Sequence, residues 1–325
     1  MLLYSAPMEG ITGYVYRNAL QQFFPGIDKY FTPFIGAASH HKLSTKELND
    51  VLPAHNSMLH LVPQLLTRSA EDFLWYANEL ADMGYNEINL NLGCPSGTVV
   101  AKGKGSGFLA KPDELQLFLD EIFAKAPVPV SVKTRVGKTD EAEFDRLIEI
   151  FRRYPMAELI VHPRLQTDMY RGTPRMGSFD KAMQNPPWKI GYNGDLFRAA
   201  EYESLVARYP QVHSISLGRG LIANPALAQQ IKTGKMLDKQ TLYQFYQHLR
   251  REYLDILPGD RTILFRMKEL LIYMECMFKD REKIAKKLRK ANKVIDFDDA
   301  IDRLFNECEL DPDGGYHQIA TNHSR

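Results

Sequence analysis

Eight short apolar runs, spaced along residues 1–237, constrain what this chain can fold into more than any other feature of it. They read LLYSAPM, YFTPFI, LHLVPQLL, EINLNLG, VPVSVKTRVG, ELIVHPR, WKIGYNG and VHSISLGRG. Several are nearly continuous in Val, Ile and Leu instead of alternating with polar residues, which is how strands buried on both faces of a parallel sheet read. Between them, residues 69–83, 112–124, 141–153 and 197–208 carry helical periodicity. Ser69 followed by Asp72 comes close to a capping box, and Pro112 falls in a first helical turn. Eight strand-then-helix units in a stretch close to the usual ~250 residues predict an α/β fold, a closed (β/α)8 TIM barrel. A doubly wound open sheet is the alternative, but no run is followed by the G-x-G-x-x-G loop that would favour it.

Beyond the last run there is no strand signal. Segments 241–254, 263–278, 281–291 and 297–305 have apolar residues at helical spacing and predict a small helical domain. The expected division is a barrel over 1–237, a helical domain over 238–308 and a polar, frayed tail over 309–325. The start of the chain lacks a basic stretch followed by a long apolar one, and no segment is apolar enough to span a membrane. A soluble, cytoplasmic protein without a membrane partner is the expectation, and nothing indicates more than a monomer. Three cysteines, Cys94, Cys276 and Cys308, are too few and too scattered for a disulfide framework or a metal site. The net charge of +1 conceals a local excess: residues 279–293 hold eight basic and two acidic side chains, a balance of +6.

In a barrel of this kind the chemistry gathers where strands end and their loops begin. Those ends hold Ala6, Pro7 and Met8, then Gln64, Asn91 with Cys94, Lys133 with Arg135, His162 with Arg164, Asn193–Gly194–Asp195, and Gly218–Arg219. Strand-end core positions are usually aliphatic, and a buried Lys or His is costly without a partner. The polar series therefore implies something anionic and polar across the barrel mouth. The loops GYNGD and SLGRG stand after the last two strands, where such barrels hold a phosphate. Lys133 can form a Schiff base or hold negative charge on a ring, and a phosphate site beside a cysteine loop favours the second.

These residues resemble the tRNA-dihydrouridine synthases, flavin enzymes that reduce uridine in transfer RNA. The likeness runs from APMEGIT through NLGCPSGTVVAKGKGSGFL, VSVKTRVG, IVHPRLQTDMYRG and GYNGD to SLGRGL. It implies an FMN cofactor re-reduced by NADPH, with Ala6, Pro7 and Met8 lining the flavin and Gln64 on its pyrimidine edge. Lys133 and His162 would contact the ring or ribityl chain, and Asn193, Gly194, Asp195, Gly218 and Arg219 the ribityl and phosphate end. Asn91 and Arg164 would meet the target uracil. Hydride would pass from flavin N5 to uracil C6, and Cys94 would give a proton to C5 from the opposite face. A thiol suits that task because it is largely protonated at neutral pH. Gly103, Gly105 and Gly107 would let the loop close over the base, and Lys102 and Lys104 would approach RNA phosphate. Arg266, Lys268, Lys286 and Lys287 are the corresponding candidates in the helical region. Where the family commonly has Gly-Arg after the histidine, this chain has Pro163–Arg164. The competing readings are a flavin-barrel oxidoreductase for a free small molecule such as a pyrimidine, and a catalytically silent RNA-binding protein.

Overall fold

A computed structural model describes residues 1–37 and 39–316 of the chain. The apolar runs become nine parallel strands: β1 (Leu2–Ser5), β2 (Lys29–Phe31), β3 (Leu61–Val62), β4 (Gln64–Leu65), β5 (Ile88–Leu92), β6 (Val130–Arg135), β7 (Glu158–His162), β8 (Lys189–Asn193) and β9 (Ser214–Leu217). Their order in the sheet is β3-β2-β1-β9-β8-β7-β6-β5-β4. Both ends of that order are pieces of the same run, interrupted at Pro63. Proline has no N–H to give to a ladder, so β3 pairs with β2 and β4 with β5 on either side of it. The Pro63 carbonyl still accepts the Asn89 N–H (2.9 Å). Eight expected runs and nine observed strands are thus one nearly closed (β/α)8 barrel.

The chain falls into two compact units: Met1–Glu9, Asp28–Asp195 and Tyr209–Leu217 form the first, and Gly10–Ile27, Leu196–Arg208 and Gly218–Arg325 the second. The first holds the whole sheet. β5, β7 and β9 are buried at every position, as expected of strands covered on both faces. Tyr4, Phe31, Val62 and Ile160 form an apolar cluster. At the start of β7, Glu158 accepts from the Tyr4 hydroxyl (3.0 Å) and from Ser214, with Lys29 at 3.8 Å. Burial raises the pKa of Glu158, while these donors hold it down. The capping signals hold in part. Ser69 Oγ accepts the Asp72 N–H (3.1 Å) at the head of helix Ala70–Asp82, but the Asp72 carboxylate turns to His41 instead of closing the box. Helix Pro112–Lys125 starts on its proline.

In the second unit, Lys239–Ile256, Asp260–Met274, Glu282–Lys290 and Val294–Glu307 are the helices expected after the barrel. Helix Tyr14–Phe23, which follows β1 in the chain, packs on Lys239–Ile256. There Tyr16, Phe23 and Phe24 surround the Phe245 ring at 5.9, 5.9 and 5.4 Å. Of the segment expected as a tail, residues 309–316 are tied to this unit. Leu310 bridges Phe278, and the Asp311 N–H donates to the Met277 carbonyl (2.7 Å). Residues 317–325 lie outside the described residues. Among the described residues, no helix is long and apolar enough to cross a membrane.

Gly191 of β8 faces the barrel interior, where a Cβ would stand 2.5 Å from Ser214 Oγ, 3.0 Å from Ile160 and 3.1 Å from Glu158. Gly191→Ala is therefore expected to destabilise the fold by about 1–3 kcal/mol in urea unfolding, the usual cost of overpacking. Gly177→Ala, with nothing within 4 Å of the added carbon, should leave the midpoint nearly unchanged.

Candidate active site

Side chains two apart on a strand share a face, so β5 presents Asn89 with Asn91, and β6 presents Ser131, Lys133 and Arg135, to the same side. Four of the polar residues on β4, β5 and β6 form a one-way chain of three amides that ends on a hydroxyl. Asn91 Nδ2 donates to Gln64 Oε1 (2.7 Å), Gln64 Nε2 to Asn89 Oδ1 (2.8 Å), and Asn89 Nδ2 to Ser131 Oγ (2.9 Å). All four are buried. The free end of the chain holds the cysteine loop, because Asn91 Oδ1 accepts the backbone N–H groups of Gly93 (3.0 Å) and Cys94 (2.9 Å). Arg135 grips the same turn from the other side, Nε donating to the Gly93 carbonyl (3.0 Å) and Nη1 to that of Leu165 (2.7 Å).

The loop after Cys94 is compact. It contains the short helix Gly97–Val100 and the 3-10 turn Gly105–Ala110. Ser106 returns to Cys94, its N–H (3.1 Å) and hydroxyl (2.8 Å) both donating to the cysteine carbonyl. Gly105 has φ +56°, and a Cβ there would lie 2.8 Å from that carbonyl and 3.1 Å from Cys94 Cβ. Of the three glycines that suggested a closing flap, Gly105 packs against the cysteine and Gly107 against Val100, where a Cβ would lie 2.9 Å from the Val100 carbonyl. Lys104 donates to the Ala37 carbonyl (3.0 Å), and burial lowers its pKa; Lys102 is exposed. Cys94 is half-buried, and loss of solvent raises its pKa. A backbone hydrogen bond at Ser96 and the charges of Lys133 and Arg135 oppose that rise.

Burial pushes the Lys133 ammonium down to about 7, helped by the neighbouring Arg135 charge. Among the described residues it has neither a hydrogen bond nor a carboxylate partner. Arg135, lowered to about 10 by burial, also lies with its guanidinium 5.3 Å from the Tyr170 ring centre. At the ends of β7 and β8 a second group forms: Arg164 bonds His162 Nε2 (3.1 Å) and both carboxylate oxygens of Asp195 (2.9 and 2.5 Å). Asn193 Nδ2 donates to the Ser216 carbonyl (2.7 Å), with Gly194 following it. The Ala6 N–H pairs with the Leu217 carbonyl (2.8 Å), and Pro7 and Met8 follow, half-buried.

In the second unit, Gly218 opens the turn Arg219–Ala223, and the Arg219 guanidinium stands 5.5 Å from the Phe197 ring and 5.3 Å from that of Tyr316. Arg266 pairs with Glu269 (3.2 Å). Lys268 donates to the carbonyls of Arg289 (3.1 Å) and Ala291, so it caps the end of helix Glu282–Lys290, and burial lowers its pKa. Lys286 and Lys287 are exposed on that helix and form no ion pair among the described residues. Ser106 and Tyr170 were given no role by the sequence, and Arg135 was placed at a strand end but given no specific one. The contact of Arg135 with the Gly93 carbonyl, on a neighbouring strand's loop, had no local signal. Tyr170, 44% exposed, sits in an irregular loop with no periodic signal. No group of three or more His, Cys, Asp or Glu side chains among the described residues could hold a metal ion.

The family described as dihydrouridine synthase (Dus) matches residues 4–304. A "Probable tRNA-dihydrouridine synthase" of Staphylococcus epidermidis is 30% identical over 227 residues, 68% of this chain and 68% of its own. The "Probable tRNA-dihydrouridine synthase 1" of Synechocystis sp. is 24% identical over 94% of this chain and 86% of its own. Among solved structures, morphinone reductase is similar at a TM-score of 0.51 and 13% identity, over 74% of this chain and 88% of that one. A variant of NCR from Zymomonas mobilis is similar at 0.50 and 14%, over 75% and 90%. These two likenesses concern the fold.

Because its pKa is raised, Cys94 should react with iodoacetamide at pH 7–8 more slowly than a free cysteine. Its rate should climb through a midpoint above the ordinary thiol range, read by mass spectrometry of the labelled peptide. A midpoint at or below that range would contradict the burial argument.

Proposed function

This chain belongs to the dihydrouridine synthase family, and from that premise we propose that it reduces uridine in transfer RNA to 5,6-dihydrouridine. The observation that carries the proposal within the structure is the Cys94 thiol, fixed by Asn91 and Arg135 and kept protonated by burial. Saturating the uracil C5=C6 bond requires a hydride at one carbon and a proton at the other. A thiol with a raised pKa keeps its proton at neutral pH and can release it as negative charge builds on the ring.

The donor set fits a flavin. A half-buried lysine whose ammonium is desolvated and has no counter-charge is costly by itself, and an anionic ring edge would be its partner. FMN, re-reduced by NADPH, would supply the hydride when bound. Lys133 would hold negative charge at the pyrimidine edge, with Gln64 and His162 as polar neighbours and Ala6, Pro7 and Met8 against the ring. Arg135 adds a second cation near Cys94, and its Nη2 makes no hydrogen bond among the described residues. In this reading its guanidinium would stabilise charge developing on the uracil carbonyl. The proposal extends to residues 238–308 as the RNA-binding domain. Exposed lysines without ion pairs, Lys286 and Lys287, suit phosphate, whereas Lys268 is occupied as a cap. The nucleotide must leave its stack to be reduced, as in other base-modifying enzymes. A monomer acting in the cytoplasm completes the reading.

Three results are expected. Cys94→Ala should keep flavin and RNA binding but lose about 10²–10⁴-fold in single-turnover rate, the usual share of general acid catalysis; full activity would remove the proton-donor role. Lys286→Glu with Lys287→Glu should weaken RNA binding without changing flavin content and flatten its salt dependence by about 0.7–0.9 per lost phosphate contact. An unchanged slope would count against that helix. Transfer RNA from cells lacking the gene should miss the mass increment of two hydrogen atoms at the target uridine, located by mass mapping.

A further inference from the structure

Arg164 has no donor left for a substrate. It is 0% exposed. Its Nε donates to the Arg171 carbonyl (3.2 Å), Nη1 to His162 Nε2 (3.1 Å) and Asp195 Oδ1 (2.9 Å), and Nη2 to the Gly172 carbonyl (2.5 Å) and Asp195 Oδ2 (2.5 Å). A guanidinium owns five N–H bonds, and all five are used. The backbone explains how the side chain comes to lie back over His162. The Arg164 N–H donates to the His162 carbonyl two residues earlier (2.7 Å), the signature of a γ-turn centred on Pro163. The proline ring fixes φ near the value that an inverse γ-turn needs, so the substitution of Pro for the family's common Gly stiffens this bend. Arg175 N–H holds the Pro163 carbonyl (2.6 Å), and the Arg175 side chain is itself paired with Asp168 (2.9 Å).

The contact with His162 admits one assignment. An arginine is never an acceptor and keeps its proton in proteins, so Nη1–H donates and Nε2 accepts. The imidazole must then be neutral, with its hydrogen on Nδ1. We propose that Arg164 is a positioning residue that locks His162 in the Nδ1–H tautomer and ties the β7 loop to Asp195 at the end of β8, and that it does not touch the uracil. This assignment rests on the reading of the barrel mouth as a flavin site and changes the role of two residues within it. Asp195 serves as the counter-ion of Arg164, and His162 meets its ligand as an oriented neutral donor.

The tautomer is measured first, on the unmutated apoprotein, by ¹⁵N NMR of the imidazole nitrogens at neutral pH, with His162 assigned through His162→Gln. A protonated Nδ1 and a bare Nε2 are expected; an imidazolium or the Nε2–H form overturns the proposal. Arg164→Lys and, as a variant that keeps the shape of the pair, Asp195→Asn are then compared for kinetics and flavin affinity. Both should weaken flavin binding and lower kcat by about tenfold or more while the KM for tRNA stays within about twofold, whereas a lost contact to the base would leave flavin affinity intact. A KM for tRNA raised about tenfold, with flavin affinity intact, would put Arg164 on the base and refute its positioning role. Pro163→Gly should give a milder version of the same pattern, with the tautomer signal broadened. If His162→Gln leaves flavin affinity unchanged, the flavin reading of His162 fails, while the tautomer result stands or falls separately.

Discussion

The arrangement at the barrel mouth depends on the carboxamide of Asn91. It looks inward along a buried amide chain through Gln64 and Asn89 to Ser131, and outward to the two N–H groups that set the turn at Cys94. The four side chains of the chain are buried, where an unpaired donor or acceptor costs about 1–3 kcal/mol. The chain is stable only when every member is present and oriented one way, so it transmits the rigidity of β4, β5 and β6 to a loop that carries a thiol. A cysteine on an otherwise glycine-rich segment thereby acquires a fixed position. Ser106 and the close approach of Gly105 complete the enclosure from the far side.

The electrostatics of the mouth follow from what is paired and what is not. Arg164 has Asp195; Lys133 and Arg135 have no carboxylate bonded to them among the described residues. The Arg135 charge depresses the protonation of Lys133, and the Arg164 charge that of Arg135, yet both Lys133 and Arg135 favour the thiolate of Cys94. Burial outweighs that influence, since desolvation is the largest contribution to the cysteine shift. The result is a site that attracts negative charge and still keeps a protonated thiol, two properties that exposed groups could not combine.

Much of this was legible in advance, and the exceptions share one cause. The strands, the barrel and the C-terminal helices followed from apolar runs and helical spacing, because burial on two faces or on one stripe is written into consecutive residues. The run holding Pro63 reads as one strand, and the structure splits it there into two. Less legible was the state of each polar side chain. Lys104 and Lys268 read as free cations, but one binds the Ala37 carbonyl and the other caps a helix end. Gly103, Gly105 and Gly107 read as freedom to move, yet Gly105 is required by a close approach to Cys94.

The sequence by itself determined which chemical groups stand at the strand ends, since a period of two and the position of each loop are local properties. It also determined the family, through motifs whose spacing survives without coordinates. Only the tertiary structure decided which of those groups remain available. Hydrogen-bonding capacity is used up by neighbours far along the chain, as Arg164 is by Asp195 at a separation of 31 residues, and a donor already committed to such a partner cannot serve a ligand.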